Sequence, residues 1–198
     1  MVKLRSSEDG RTLYFEDAVL AVVETNKNLD VITEENLQEL AATIALQPLD
    51  EEHKDQRVVG MFTGGSVNGK KLLTSGCIFA ARFPDIANGI LGGEKMLSLS
   101  ANAARVFCSE CGAEMSSLSR CDHLSASMEK RREMAWFKRY SGLTSDGGAV
   151  TVRPAGTGTE FNKIRLVASI QTDLDKEDIL VLNRVDELLK KYGMSIRR

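Results

Sequence analysis

The chain has 198 residues with 26 Lys+Arg against 28 Asp+Glu, a formal net charge of −2, and 42% hydrophobic content. That composition suits one ordinary globular core rather than a disordered chain, and near-neutral charge speaks against a general nucleic-acid coat, which needs excess positive charge. No stretch reaches the roughly 18–20 apolar residues of a membrane helix, and the opening MVKLRSSEDGRTLYFED lacks the apolar run of a signal peptide, so a soluble intracellular protein is expected.

Residues 11–25 (RTLYFEDAVLAVVET) mix β-branched and aromatic residues with charges and predict one or two strands. Thr33 stands at a helix N-cap position with Glu34 and Glu35 in the first turn. Leu37, Leu40, Ala41, Ile44 and Ala45 follow at helical spacing, and Pro48 is expected to stop the helix. Residues 57–63 and 71–80 flank the Gly-rich GGSVNGK and read as a hairpin. Pro84, with Phe83, Ile86, Ala87 and Ile90 on one face, predicts a short helix ended by Gly92-Gly93. Residues 95–106 (KMLSLSANAARV) alternate as a strand, Leu97 and Leu99 on one face, Ser98 and Ser100 on the other. Residues 125–140 read as a helix marked by Met128, Met134, Trp136 and Phe137, with strand pieces at 148–152 and 163–170. Residues 176–192 predict an amphipathic helix with Ile179, Leu182, Val185, Leu188 and Leu189 on one stripe. The expected architecture is α+β: a largely antiparallel sheet or β-barrel with flanking helices over 1–170, then a C-terminal helical appendage over 171–198.

The segment 108–123 (CSECGAEMSSLSRCDH) places Cys108 and Cys111 two residues apart before Gly112, in the form of a zinc knuckle. Cys121 and His123 can close the tetrahedron. Three thiolates and one imidazole make a closed structural site with no position left for water or substrate, and one imidazole without a cluster-type spacing favours zinc over iron. The zinc loop is expected over 107–124. Three buried free cysteines are the plain alternative, and Cys77, within a predicted strand, reads as core. Lys130, Arg131, Arg132, Lys138 and Arg139 run beside Trp136, Phe137 and Tyr140, which admits a zinc-ribbon nucleic-acid binder. A solvated helix face with its aromatics turned inward fits the net charge better.

With His123 assigned to the metal, His53 is the remaining imidazole, set among acids in LDEEHKDQ. It is either an ordinary surface residue or the base for any His-dependent chemistry. Ser98 and Ser100 are two hydroxyls on one face of an otherwise apolar strand. A serine becomes a nucleophile only with a base in hydrogen-bond reach, so the residues alone leave a serine hydrolase open.

Several segments, in order, resemble the head-maturation (prohead) serine proteases of tailed phages. EEHKDQRVVGMFT is similar to the family's histidine-bearing strand, with His53 ahead of Val59-Gly60. ARFPDIANGILGG resembles the helix before its serine strand, and KMLSLSANAARV the serine strand itself. GGAVTVRPAGTGTEF resembles the closing strand with its Pro154-Ala155 pair, and a branch of the family carries a Cys/His zinc insertion at the position found here. The likeness spans about residues 12–165. It implies a herpesvirus-assemblin-like fold, Ser98 as nucleophile, with Ser100 in the small-residue position, and His53 as base. The implied activity is an endopeptidase that trims scaffold and major capsid precursors inside the prohead in the host cytoplasm, as a homo-oligomer. The sequence departs from the family where an acidic third residue is expected: SDGG stands there, Asp146 is one place out of register, and the third member is left open. A non-catalytic, zinc-stabilised head protein on the same fold is the rival expectation.

Overall fold

The computed structural model describes residues 11–116 and 121–167. The C-terminal helix expected at 176–192 and the appendage at 171–198 lie outside the described residues.

Strand β1 (Thr12–Val22) turns Leu13, Phe15, Ala18, Val19 and Leu20 into the core. A two-stranded ribbon follows, β2 (Glu24–Thr25) against β3 (Val31–Ile32). Helix α1 (Glu34–Thr43) begins as expected. The Thr33 hydroxyl accepts from the Asn36 N–H, and the Asn36 side chain accepts in return from the Thr33 N–H, a reciprocal cap. Leu37 and Leu40, together with the C-cap residue Ile44, are fully buried and contribute about 1.5–3 kcal/mol each.

Pro48 does not end this helix. The chain leaves it at Thr43 because Leu46 adopts φ 68° and the backbone is then captured by the sheet: the Leu46 N–H donates to Phe62 O and the Phe62 N–H to Gln47 O. Pro48 opens β4 (Pro48–Glu51) instead. The expected hairpin is longer than its sequence signature. Strands β5 (Lys54–Asn68) and β6 (Lys71–Ile78) run to a two-residue turn at Gly69-Lys70, where Gly69 supplies φ 57°. Helix α2 (Pro84–Leu91) has its proline at the first position and buries Ile86, Ala87 and Ile90, as the pattern predicts.

Strand β7 (Met96–Cys108) is followed by two short helices, α3 (Asp122–Ser125) and α4 (Met128–Glu133), then β8 (Lys138–Thr151) and β9 (Arg165–Val167). The single helix expected over 125–140 is therefore corrected. Ala135 sits at φ 53°, the Lys138 N–H donates to Leu29 O, and β8 pairs with β7 from Cys108↔Lys138 to Met96↔Thr151. A ladder of that length outweighs a helical pattern whose markers Met128 and Met134 stay exposed.

The sheet runs β7-β8-β4-β5-β6-β1-β9. Its pairs are antiparallel except β4 with β8, which run parallel through Leu49↔Gly148, Asp50↔Ala149 and Glu51↔Val150. Among the described residues β7 and β9 are edges and do not pair, so the protein is a mixed α+β structure built on an open sheet rather than a closed barrel. Helix α1 locks β8 in place. The Glu39 carboxylate accepts the Gly142 and Leu143 N–H groups at 2.9 and 3.0 Å, and the Thr43 hydroxyl accepts the Ser145 N–H at 2.8 Å. Burial pushes the Glu39 carboxyl upward, but these backbone donors and the Asn36 side chain hold it below its ordinary value.

Candidate active site and metal centre

β4 and β5 meet in a two-residue turn, Glu52-His53, flanked by the Glu51↔Lys54 pair. Both central residues have positive φ, 52° and 56°, the geometry that follows the twist of a tight hairpin and that Asn-Gly normally supplies. Neither residue adopts it without cost, about 1–3 kcal/mol each, so the surroundings must impose it. They do. The Glu52 carboxylate accepts the Thr151 hydroxyl at 2.6 Å and the Val152 N–H at 3.3 Å, and Lys95 Nζ stands 4.0 Å away. The Thr151 hydrogen bond, opposed by desolvation and helped by Val152, Lys95 and Lys54, holds the Glu52 carboxyl below its ordinary value.

The turn lays the His53 ring across two serines of β7. Nε2 lies 2.9 Å from Ser98 Oγ and Nδ1 lies 2.9 Å from Ser100 Oγ. Residues i and i+2 of a strand are about 6.6 Å apart on one face, a spacing that lets two hydroxyls bracket one imidazole. Neighbouring strands shape this stretch of β7. Gly148 has no side chain where a Cβ would stand 2.7 Å from Ser98 O and 3.1 Å from the Phe62 ring. At the Ser100/Ala101 register shift, Ser100 pairs with Gly147 and Ala101 with Ser145, leaving Asp146 as the extra residue of the bulge. Asp146 is exposed and forms no hydrogen bond or ion pair with His53; the group facing Nδ1 is Ser100.

Ser98 is 5% exposed and lies at the junction of two spaces. A groove of about 610 Å³ is lined by His53, Ser98, Lys27, Arg153 and residues 154–159. A second cavity, about 190 Å³, opens from the same serine between β1, the β2–β3 ribbon and β7. Ser100 lines neither.

The Cys/His segment closes into a cluster. The candidate ligand atoms of Cys108, Cys111, Cys121 and His123 all lie within 4.8 Å of one another. Cys108 ends β7, and the turn after it is tied by the Gly112 N–H to Cys108 O and the Cys108 N–H to Ala113 O, with Gly112 at φ 68°. Cys121 is the N-cap of α3, which carries His123. Burial raises the Cys108 thiol, but the N–H groups of Cys111 and Glu110 and the neighbouring thiols of Cys121 and Cys111 outweigh it and bring it to about 7. His123 Nδ1 is buried with no hydrogen-bond partner. A soft donor set, a stabilised thiolate and an orphaned imidazole nitrogen fit a metal ion, and these four residues can hold one. Cys77 is buried core, its thiol pushed up to about 12 by desolvation.

The basic run beside the cluster is largely engaged within the protein. Arg131 is buried, Arg132 donates to Lys27 O, and Lys138 pairs with Asp30 at 3.2 Å. The Trp136 ring packs edge-on against His123 at 4.7 Å and lies under Lys130. Among the described residues, no helix is long and apolar enough to cross a membrane.

Glu52 and Thr151, which fix the His53 turn, escape a sequence reading. The signal was present as two charged or polar residues between PLDE and a long β-rich run, but a tight turn without Asn or Gly does not announce itself. No protein-family model and no curated relative matches the chain. Among solved structures it is similar to the varicella-zoster virus protease, with 14% identity over 89% of this chain and 77% of that one at a TM-score of 0.38. It is similar also to the KSHV protease in complex with a hexapeptide phosphonate inhibitor, with 13% identity over 90% and 77% at a TM-score of 0.39. At such distance the function has to be read from the chain's own side chains.

Proposed function

We propose that this chain is a serine endopeptidase of phage head maturation, cleaving scaffold and capsid precursors within the prohead. The observation that supports it most directly is the 2.9 Å approach of Ser98 Oγ to His53 Nε2 at the edge of a groove. Ser98 rather than Ser100 is the nucleophile, because it reaches both spaces a substrate can enter and Ser100 reaches neither.

The roles of the two ring nitrogens follow from that choice. For Nε2 to accept the Ser98 proton, Nδ1 must carry the hydrogen and donate it to Ser100 Oγ. Ser100 is thus a positioning residue that fixes tautomer and ring plane, as the third member of a triad does, but without a negative charge. Ser98 Oγ attacks the scissile carbonyl carbon while its proton passes to His53 Nε2. The C–N bond then breaks, and His53 returns the proton to the leaving amine. Water, deprotonated by His53, attacks the acyl-enzyme, releasing the new carboxyl end and restoring Ser98. Arg153, which lines the groove beside Ser98, is the candidate donor to the oxyanion.

The Cys/His cluster is proposed to hold zinc as a staple that ties the end of β7 to α3, with no part in the chemical steps. The phage-head setting, its substrates and self-association rest on the ordered sequence resemblance. Co-expression with scaffold and capsid precursors is the test: wild type should process them and Ser98→Ala should not. Intact precursors in the presence of folded wild type would favour a non-catalytic head protein.

A further inference from the structure

Gly89, buried near the end of α2, has no side chain where a Cβ would stand 3.0 Å from Cγ and Cδ of Lys95 and 3.2 Å from its Cε. The methylene stem of Lys95 lies across that gap. The N–H groups of Glu94 and Lys95 both donate to Gly89 O, at 2.8 and 3.2 Å. Backbone and stem together direct the ammonium toward the turn that carries His53. With its side chain 17% exposed, it stands 3.8 Å from Glu51 Oε1 and 4.0 Å from Glu52 Oε1.

Glu51 and Glu52 are consecutive carboxylates at that turn, and like charges so placed push apart. The Glu51 side chain is 13% exposed, so solvent and salt screen the repulsion less than they would at an open surface. Each carboxylate has a further partner of its own. Arg57 lies 2.5 Å from Glu51 Oε2 and 3.6 Å from Asp85 at the start of α2, while Glu52 accepts from Thr151 and Val152 and feels the charge of Lys54. Lys95 is the one cation among the described residues that pairs with both. Helix α2 thus reaches the turn at two points, through Asp85 and Arg57 at one end and through Gly89 and Lys95 at the other.

We propose that Lys95 is a positioning residue for His53: its charge holds Glu51 and Glu52 together, and through Glu52 it maintains the strained turn that keeps Nε2 on Ser98. The proposal rests on the endopeptidase reading and adds a residue to that site. Lys95 acts from behind the turn and has no part in bond making. Without its ammonium, Glu52 faces Glu51 uncompensated, and the repulsion opposes the hydrogen bonds to Thr151 and Val152. Nothing then offsets the cost of positive φ at Glu52 and His53, and the turn relaxes. The ring follows the backbone that carries it, and the 2.9 Å approach to Ser98 Oγ is lost. An arginine keeps the charge, whereas a methionine keeps only the stem that fills the gap at Gly89.

The test uses a fluorophosphonate in place of a peptide. A bond forms from phosphorus to Ser98 Oγ as fluoride leaves and the hydroxyl proton passes to His53, so the labelling rate reports how well His53 activates Ser98. Labelling at Ser98, located by mass spectrometry, should slow by about tenfold or more in Lys95→Met and recover most of the wild-type rate in Lys95→Arg. In a Glu52→Gln background, Lys95→Met should slow it little further, a non-additivity that a general loss of packing does not produce. If Lys95→Met does not fold, Lys95→Gln carries the same comparison. Equal labelling of wild type and Lys95→Met overturns the positioning role and leaves the endopeptidase standing. Equal slowing with and without the Glu52 carboxylate overturns the route through Glu52. No labelling of Ser98 in folded, metal-loaded wild type overturns both the positioning role and the endopeptidase reading.

Discussion

His53 Nε2 lies 2.9 Å from Ser98 Oγ across 45 residues of chain, and the same ring reaches Ser100 through its other nitrogen. One imidazole bridging two hydroxyls of a single strand sets distinct expectations for the two serines.

Ser98→Ala and His53→Ala should each abolish precursor cleavage while leaving the melting temperature nearly unchanged, since neither side chain fills the apolar core. Ser100→Ala should lower kcat by about 10²–10³ with KM little altered, the loss expected for a misoriented base. Ser100→Asp places a carboxylate against Nδ1, stabilises the imidazolium, and should move the acid limb of the pH–rate profile to higher pH. Steady-state kinetics of the three Ser100 forms distinguish this from a structural role, which would move no pH limb.

Glu52 holds the strained turn, and its lowered pKa gives a signed pH dependence. A carboxyl whose folded pKa is depressed contributes stability that is present above its unfolded value of about 4.3 and is lost as pH falls through the folded value. Wild type should therefore be more stable than Glu52→Gln near neutral pH, and the gap should close below about pH 4.3. With the Glu52 side chain 33% exposed, the difference should not exceed about 1 kcal/mol. Denaturant titration of both proteins at pH 7 and pH 3.5 checks it.

The metal centre should contain about one zinc ion per chain. Cys108→Ser should lose the ion and lower the melting temperature, and a strong chelator should do the same to wild type, because the binding energy of a structural ion adds to folding. Metal analysis of freshly reduced protein gives the stoichiometry. A metal-free protein that melts at the same temperature with and without added zinc would refute the assignment.

Gly148→Ala should damage the site from behind. Its Cβ would press on Ser98 O and the Phe62 ring, so β7 must shift at the nucleophile. A loss of about 1–3 kcal/mol is expected, with kcat falling further than the stability loss explains. Gly69→Ala is the contrasting control: its Cβ would meet open space and only the positive φ is strained.

Elements whose signals are local were legible in the chain. The Thr33 cap, the proline-led α2, the alternation of β7 and the ligand spacing of the Cys/His loop depend on residues within a turn or two of one another, and the structure shows each of them. The sequence also singled out His53, Ser98 and Ser100 as groups able to do chemistry. Tertiary structure decided the rest. The run at 134–140 became turn and strand because pairing with β7 satisfies its backbone better than an isolated helix with exposed methionines. Pro48 opened a strand because β5 captured the chain first. Asp146, the carboxylate near which the resemblance expects an acidic group, is turned out of the ladder by the bulge at Ser100/Ala101, and Ser100 faces the ring. The contact between His53 and Ser98 and the strained turn that enforces it both depend on which backbone groups meet across the sheet. Such long-range pairings leave no periodic mark in the chain, because each residue's partner is set by register and not by its neighbours.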